Sequence, residues 1–333
     1  MAADAGAAPR LLILRRDNIG DLACTTPLVA ALRAQLPRAW LGALVTTYNA
    51  EVLSGNAALD AVFVYEKLKH RTGSLFAHLR RRAAQAAELR REALDAVLVP
   101  APSPQALRIA RSLKPRRVLA GPLHARPGQH EVERAFELGR ALGLRGAPGP
   151  LQVFPDPAKV QELARRVGAG PLTAVHISAR RPAQRWPLER YAELIRELSK
   201  EGKVMLLWAP GPPDDPRHPG DDESAGKIMR AAGNAAAVPV ATPDLKTLIA
   251  ALSLAARVVC PDGGAMHLAA ALGKPVVALF GDSPPQRWRP WGVPHRVVRP
   301  ESRDLAGLGL APVLAACAEL AALGRGPDEH RGE

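Results

Sequence analysis

A glycine-rich turn in the second half of the chain combines residues that could bind an anion. The apolar run 258–260 is followed by Pro261, Asp262, Gly263 and Gly264, which predicts a buried strand, a tight turn and the start of a helix. The N–H groups of the first helical turn, residues 264–267, and the helix dipole would favour a phosphate there. The alternative for this segment alone is an ordinary strand-turn-helix in which glycine serves only the turn.

A second segment, near the start of the chain, offers a carboxylate at a similar place. The apolar run 11–14 reads as a buried parallel strand, and the loop 15–21 leads into a helical pattern over residues 22–36. Asp21 would then lie above the end of a strand. A carboxylate close to a helix start can cap that helix, or it can act as a general base, and the segment alone leaves both roles open.

Length and composition limit the class of protein. The chain has 333 residues, of which 47% are hydrophobic, enough for large cores and in favour of two domains. Its apolar runs are shorter than the ~20 residues that span a bilayer, and the N-terminus lacks a basic region followed by an apolar one. We therefore expect a soluble, cytoplasmic protein. Three widely spaced cysteines argue against a disulfide framework or a zinc site, and we expect reduced thiols.

The net charge of +13 predicts polyanionic partners. Aromatic residues make up only 4% and do not alternate with basic ones, so nucleic acid is the less favoured partner. Arg80, Arg81 and Arg82 form the densest basic cluster, within a helical pattern over residues 74–94. Such a cluster can be a solvated helix face, or it can contact an anionic membrane or a lipid-linked acceptor.

Apolar strands and helical patterns alternate through both halves, which predicts an α/β fold of two doubly wound, Rossmann-like domains facing a central cleft. We place the N-terminal domain at residues 1–150 and the C-terminal domain at 151–333, with a Gly- and Pro-rich linker over 143–157. The final helix could pack back on the N-terminal domain. The candidate loops all follow strands, where such sheets bind ligands. The first strand lacks a Gly-x-Gly-x-x-Gly turn, which disfavours a dinucleotide dehydrogenase.

Five motifs in this order resemble glycosyltransferase family 9, the ADP-heptose:lipopolysaccharide heptosyltransferases. The resemblance extends over residues 11–291. The motifs are Asp17-Asn18-Ile19-Gly20-Asp21 with Thr25-Thr26-Pro27, His130-Glu131-Val132-Glu133-Arg134, His176-Ile177-Ser178-Ala179-Arg180, Gln184-Arg185-Trp186-Pro187, and Asp262-Gly263-Gly264-Ala265-Met266-His267. The family implies a GT-B fold and inverting sugar transfer from a nucleotide sugar to the lipopolysaccharide inner core or a related glycan, with no cofactor and no obligatory metal.

Carried onto this chain, the resemblance assigns each motif a role. Asp21 becomes the general base, and Asp262 holds sugar hydroxyls, although a helix cap would also explain Asp262. Arg181 adds charge beside the phosphate site. The residues implied to contact the donor phosphate are Ser178, Arg180, Arg185, Gly264, Ala265, Met266 and His267. Packing alone would also explain His267, and we expect Trp186 to pack its loop rather than contact ligand.

The chain departs from the family pattern at two places. Gln184 stands where many members carry lysine, so a neighbouring arginine substitutes for the charge or donor binding is weaker. The loop after residue 208 is longer, and Asp214 and Asp222 are both candidates for binding the ribose, while Asp222 could equally start the next helix. Ser283 matches a hydroxyl position that turn chemistry also explains.

Two other function classes remain open. One is a transferase of the same fold that uses another nucleotide sugar or a non-lipopolysaccharide acceptor. The other is a non-catalytic nucleotide-sugar-binding protein, against which the intact Asp21 loop argues. A hydrolase similar to sugar 2-epimerases is a remote third. The expected partners are a nucleotide-sugar donor and an anionic glycolipid or glycan acceptor, with peripheral contact to the inner face of the inner membrane and no nucleic acid.

Overall fold

A computed structural model describes residues 8–67, 74–124, 126–214 and 219–324 of the chain. The chain divides into two compact units, Met1–Val153 and Phe154–Glu333. Each unit is built on one parallel sheet. In the described part of the chain, no helix combines the length and the apolar composition needed to cross a bilayer.

The first unit has a five-stranded sheet in the order β3-β2-β1-β4-β5. Its strands are β1 (Arg10–Leu14), β2 (Trp40–Thr46), β3 (Ala61–Tyr65), β4 (Ala96–Val99) and β5 (Arg117–Ala120). Its helices among the described residues are α1 (Ile19–Ala23), α2 (Thr26–Gln35), α3 (Leu75–Arg91), α4 (Pro104–Ser112) and α5 (Glu131–Arg140). The chain winds from β1 toward one edge and from β4 toward the other, so the switch point lies between β1 and β4.

Strand β1 shows why the apolar runs form central strands. Leu11 and Ile13 pack into the core on one face of the sheet, with helix α2. Leu12 and Leu14 pack into the core on the other face. Because both faces of a doubly wound sheet are covered by helices, a central strand is apolar at every position rather than at alternate ones. The loop that follows β1 is thereby fixed at the switch point.

The helical pattern predicted over residues 22–36 is two helices rather than one. Helix α1 ends at Ala23 and α2 begins at Thr26. Pro27 lies in the first turn of α2, where its missing N–H costs nothing, and without that N–H it cannot continue the hydrogen-bond ladder of α1. The break keeps α1 short, with Asp21 in its first turn.

The second unit has a six-stranded sheet in the order β11-β10-β9-β6-β7-β8. Its strands are β6 (Leu172–His176), β7 (Lys203–Trp208), β8 (Val238–Ala241), β9 (Arg257–Pro261), β10 (Val276–Leu279) and β11 (His295–Val298). Its helices among the described residues are α6 (Pro157–Val167), α7 (Leu188–Leu198), α8 (Asp222–Ala232), α9 (Leu245–Ser253), α10 (Gly264–Ala271), α11 (Pro285–Trp288) and α12 (Leu310–Gly324). The switch point lies between β6 and β9, where the two directions of winding part.

Helix α12 belongs to the core of its own unit. Val313, Cys317 and Leu320 are buried with residues of β10, β11 and α7. These contacts all lie within the second unit, and a return of the final helix to the N-terminal domain stays a prediction. The apolar face of this helix fits the outer strands β10 and β11, and the sequence analysis did not identify β11.

Candidate active site

Asp21 lies in the first turn of α1, just beyond the carboxyl end of β1. Its Oδ2 accepts hydrogen bonds from the backbone N–H of Asn18 at 3.2 Å and from the Asn18 side chain at 2.9 Å. The carboxylate therefore does cap the helix, as one reading of the sequence predicted. The side chain retains 12% of its accessible surface, so the cap does not enclose it, and its chemistry is available to a ligand.

The other oxygen of Asp21 meets a buried arginine. Arg15 Nη2 lies 2.8 Å from Asp21 Oδ1 and 2.7 Å from Glu131 Oε1. Arg134 Nη1 binds both oxygens of Glu131, at 3.1 and 3.2 Å. Sequence reasoning placed Arg15 in the loop 15–21 and Glu131 in one of the motifs but assigned neither a role. The only sequence signal was Glu131 at the start of a helix that follows a strand, which also suits an ordinary first-turn acid.

Burial and charge act in opposite directions on this cluster. Burial favours the neutral form of Arg15, but the carboxylates of Asp21, Asp17 and Glu131 outweigh it and raise the pKa of the guanidinium above its ordinary value. Burial raises the pKa of Asp17, with Arg15 opposing that shift. Arg15 is therefore a permanent cation that binds carboxylates from two separate segments.

In the second unit, the predicted anion site forms at the start of α10, beyond the carboxyl end of β9. Gly263 precedes the helix, and Gly264, Ala265 and Met266 form its first turn, where N–H groups lack a carbonyl partner inside the helix. The N–H of His267 already donates to the carbonyl of Gly263 at 3.4 Å. The N–H of residue 267 is therefore engaged within the helix, and the first-turn donors are those of Gly264, Ala265 and Met266.

The side chain of His267 is buried, and its ring packs edge-on against Trp288, with centroids 6.0 Å apart. The side chain of His267 therefore has the packing role that the sequence analysis gave as its alternative. Trp186 is also buried, donates its indole N–H to the carbonyl of Leu308 at 2.9 Å, and packs edge-on against Tyr191. The prediction that Trp186 packs its loop is confirmed.

Gln184 brings together the loops after β6, β9 and β10. Its Nε2 donates to Asp262 Oδ2 and to Ser283 Oγ, both at 3.0 Å, and all three residues are buried. Arg181 binds Ser283 Oγ at 2.8 Å and Asp282 at 3.1 Å. Burial raises the pKa of Asp262, while hydrogen bonds from Ser283 and Gln184 and the charge of Arg181 oppose the shift. A neutral amide thus holds Asp262, with an arginine close by.

The remaining predicted contacts are spread over the neighbouring loops. Ser178 Oγ accepts from the backbone N–H of Ala209 at 2.9 Å, which ties the loop after β6 to the loop after β7. Arg185 Nη1 lies 2.7 Å from Asp221 Oδ1, and Asp221 is buried. Arg180 is exposed. The sequence analysis missed Asp221 and considered Asp214 and Asp222 in this loop instead.

The two ribose candidates differ in their surroundings. Asp222 Oδ1 accepts from the indole N–H of Trp208 at 2.6 Å, and its Oδ2 accepts from the backbone N–H of Gly211 at 2.8 Å. It therefore supports its own loop and begins α8. Asp214 is exposed in a turn. Cys24, Cys260 and Cys317 are all buried and free, as expected of reduced thiols.

Comparison with known proteins shows which family this chain resembles. The model of glycosyltransferase family 9 (heptosyltransferase) matches residues 111–306. Lipopolysaccharide heptosyltransferase 2 of Salmonella typhimurium is 32% identical over 123 residues, which cover 35% of this chain and 33% of the relative. The chain thus spans about a third of the length of that relative. Lipopolysaccharide heptosyltransferase 1 of Escherichia coli is 26% identical over 326 residues, covering 92% of this chain and 98% of the relative.

Solved structures agree with the predicted fold. A glycosyl transferase family 9 protein from Veillonella parvula superimposes with a TM-score of 0.83 at 19% identity, covering 97% of this chain and 99% of that one. The E. coli heptosyltransferase WaaC with ADP gives a TM-score of 0.75 at 22% identity, covering 93% and 99%. The α/β fold of the GT-B class, with two Rossmann-like domains, is confirmed. With the family model matching more than half of its residues, the chain belongs to glycosyltransferase family 9.

Proposed function

We propose that this protein is an inverting, metal-independent glycosyltransferase that moves heptose from ADP-heptose to an acceptor of the lipopolysaccharide inner core or a related glycan. The observation that carries the proposal is the partly exposed carboxylate of Asp21 at the switch point of the first sheet. The similarity to lipopolysaccharide heptosyltransferases, and to the E. coli WaaC structure with ADP-2-deoxy-2-fluoro heptose, supports the choice of donor and acceptor.

Inversion requires one carboxylate at the reacting centre. In the proposed step, the Asp21 carboxylate takes the proton of the acceptor hydroxyl while that oxygen attacks the anomeric carbon. The new C–O bond forms on one face of the sugar, and the bond to the diphosphate oxygen breaks on the other. ADP leaves with the electron pair, and Asp21 returns its proton to solvent. A second carboxylate acting as nucleophile has no part in this step.

The leaving diphosphate gains negative charge, which the second unit is equipped to stabilise. The first-turn N–H groups of α10 and its dipole favour an anion there. Arg180, Arg181 and Arg185 supply permanent positive charge on the loop after β6. Gly264, Ala265 and Met266 would act through their backbone, because the side chains of Ala265 and Met266 are buried. We propose that these groups serve in place of a metal ion.

Gln184→Lys is expected to tighten ADP binding about fivefold, because a charge-assisted hydrogen bond to phosphate is stronger than a neutral one by about 1 kcal/mol. Titration calorimetry with ADP measures the change. Gln161→Lys, which adds the same charge at an exposed position of α6, should leave the affinity unchanged. Equal or weaker binding by Gln184→Lys would show that Asp262 neutralises the new charge, or that no phosphate lies beside it.

Product analysis tests the function itself. The protein is incubated with ADP-heptose and a lipopolysaccharide inner-core acceptor, and the product is examined by mass spectrometry and by the coupling constant of its anomeric proton. We expect one added heptose with inverted configuration. A thermal-shift panel of ADP-, GDP- and UDP-sugars separates the alternative donors, because a ligand selective for the folded state raises its Tm. Nucleotide release without acceptor would indicate a hydrolase, and binding without turnover a non-catalytic protein.

Cationic groups surround Tyr65, which lies at the carboxyl end of β3, just as Asp21 lies beyond the carboxyl end of β1. Arg16 Nε donates to the Tyr65 hydroxyl at 2.6 Å, and the Arg82 guanidinium lies 4.4 Å from the centre of the Tyr65 ring. Burial raises the pKa of Tyr65, with the charge of Arg16 opposing that shift. The hydroxyl therefore stays neutral and the positive charge of both arginines remains. We propose that this group faces an anionic acceptor.

We further propose that the start of α3 contacts the surface of an anionic membrane. Phe76 is 77% exposed and Leu79 is 55% exposed, with Leu75 beside them. Arg80 and Arg81 are exposed on the same helix, whereas Arg82 packs on Tyr65. Apolar side chains next to basic ones match the chemistry of a lipid interface, where each arginine contributes about 1 kcal/mol. We call Leu75, Phe76, Leu79, Arg80 and Arg81 the α3 surface.

Replacing both Phe76 and Leu79 by serine is expected to weaken membrane binding about fivefold, because buried apolar area contributes to interfacial affinity. Co-sedimentation is measured with vesicles of equal parts phosphatidylcholine and phosphatidylglycerol, and with vesicles of phosphatidylcholine alone. The matched control replaces Leu123 and Leu323, which are 72% and 57% exposed elsewhere on the chain. Unchanged binding after the Phe76 and Leu79 substitutions would contradict the role of the α3 surface in membrane contact. Equal binding to vesicles with and without phosphatidylglycerol would contradict it as well.

A further inference from the structure

Glu131 is a carboxylate with no accessible surface, and the proposed reaction does not use it. It lies at the start of α5 and shares Arg15 with Asp21, the two oxygens being 2.7 and 2.8 Å from the same guanidinium nitrogen. Arg134 binds it from the other side. Together with Asp17, whose Oδ2 lies 3.3 Å from Arg15 Nε, the cluster holds three carboxylates and two guanidiniums.

A buried guanidinium needs an anion at every stage of a reaction. A buried charge that loses its partner is strongly destabilising. In the proposed step Asp21 becomes neutral when it accepts the acceptor proton, so its ion pair with Arg15 is lost at that moment. Glu131 remains ionised beside Arg15 and retains the pairing. Protonation of Asp21 is therefore less costly than it would be if Asp21 were the sole partner.

We infer that Glu131 sets the basicity of Asp21 by competing for Arg15, and that Arg134 limits this competition by holding Glu131. The inference rests on the proposed function, because it assigns Asp21 as the base. Glu131, Arg15 and Arg134 are positioning residues: they act on Asp21 and do not touch the substrate.

The direction in which each substitution changes the basicity of Asp21 depends on all the charged groups around it. Arg15 and Asp17 come from its own loop, Glu131 and Arg134 from α5, and Lys67 follows β3. The turn Ala50–Leu53, which packs against α1, carries Glu51. Removing the charge of Glu131 makes the surroundings of Asp21 more positive and leaves Arg15 to Asp21, so both changes favour the charged form of the Asp21 carboxylate. Removing the charge of Arg134 disfavours that charged form for the same two reasons.

The test is the dependence of kcat/KM on pH, since transfer should rise as the base loses its proton. Glu131→Gln is expected to move this acid limb about one unit toward lower pH and to reduce the plateau about threefold, because a weaker base accepts the proton less readily. Arg134→Gln is expected to move the limb in the opposite direction by a similar amount. A merely structural role would lower activity without opposite displacements.

Glu133→Gln is the matched control, because Glu133 lies on the same helical turn but binds the backbone N–H of His130 at 2.9 Å rather than Arg15. Its limb should coincide with that of the unmodified protein. If Glu131→Gln fails to fold, Arg134→Gln still decides the sign. Unmoved limbs in Glu131→Gln and Arg134→Gln, with an inactive Asp21→Asn, would overturn this inference alone. Full activity of Asp21→Asn would instead overturn the assignment of Asp21 as the base. Glu131→Gln and Arg134→Gln do not test that assignment, so the two failures are distinguishable.

Discussion

Asp21→Asn is expected to lower sugar transfer about a thousandfold while leaving ADP binding nearly unchanged, because general-base catalysis contributes about 10²–10⁴ in rate. Asparagine is close to aspartate in size, and its amide oxygen can still accept from the Asn18 backbone N–H that now binds Asp21 Oδ2. The helix cap therefore survives, and the loss reports on the proton transfer. Asp21→Ala, which removes the cap as well, should be equally inactive and less stable.

The two readouts for Asp21→Asn are kcat from product formation and the Kd for ADP from calorimetry. Asp21 belongs to the first unit, and the groups proposed to hold the diphosphate belong to the second. Unchanged affinity with lost turnover is thus the expected combination. Asp17→Asn distinguishes the two carboxylates of the loop, since Asp17 also reaches Arg15. Loss of transfer in Asp17→Asn with normal turnover in Asp21→Asn would move the base to Asp17.

The sequence predicts the sheets well because their physical signals are local. The central strands are continuous apolar runs, and the loops that follow them carry the polar motifs, as in Leu11–Leu14 and the Asp21 loop. The strands that the sequence analysis missed, β8 and β11, lie at the edges of the second sheet. Strand β8 contains Pro239, which an edge strand tolerates but which argues against a strand when the sequence is read alone.

The contacts of the candidate site are harder to predict because their partners are far apart in the chain. Glu131 lies 116 positions from Arg15, and Gln184 lies 78 positions from Asp262. Residue type shows that a buried guanidinium needs an anion, but it does not show which carboxylate supplies it. That choice depends on which loops the strand order brings to the switch point. Sequence reasoning therefore located the loops and missed the Arg15–Glu131 pair.

Helix capping and catalysis are compatible roles for one carboxylate. The sequence posed them as alternatives for Asp21, yet one oxygen binds Asn18 and the other binds Arg15, while part of the side chain is accessible. The cap fixes the orientation of the carboxylate, which a general base requires. For Asp222 the outcome differs, since Trp208 and Gly211 engage both of its oxygens in supporting the loop.

Gly281→Ala is expected to weaken ADP binding about thirtyfold, because there is no space for a side chain between Gly281 and the backbone of Ala183. A Cβ at Gly281 would lie 2.2 Å from the backbone carbonyl oxygen of Ala183, closer than any packed carbon approaches an oxygen. The turn Pro182–Gln184 must then move away from the end of β10. Gln184 Nε2 now reaches Asp262 and Ser283 at 3.0 Å each, and a displaced turn cannot keep both contacts. Overpacking of this kind costs about 1–3 kcal/mol of folding stability. The loss of affinity comes from the displaced Gln184 contacts, for which a binding cost of about 2 kcal/mol corresponds to about thirtyfold.

Calorimetry with ADP and a thermal melt measure the effect of Gly281→Ala, which should also lower the Tm by several degrees. The matched control is Gly149→Ala, where the added methyl group meets no atom within 4 Å and both quantities should stay the same. Gly281→Ala should leave the pH dependence of transfer unaltered at saturating donor, because Asp21 and Arg15 are in the other unit. Normal ADP affinity in a variant that has lost stability would separate the Gln184 cluster from donor binding and leave it a purely structural contact.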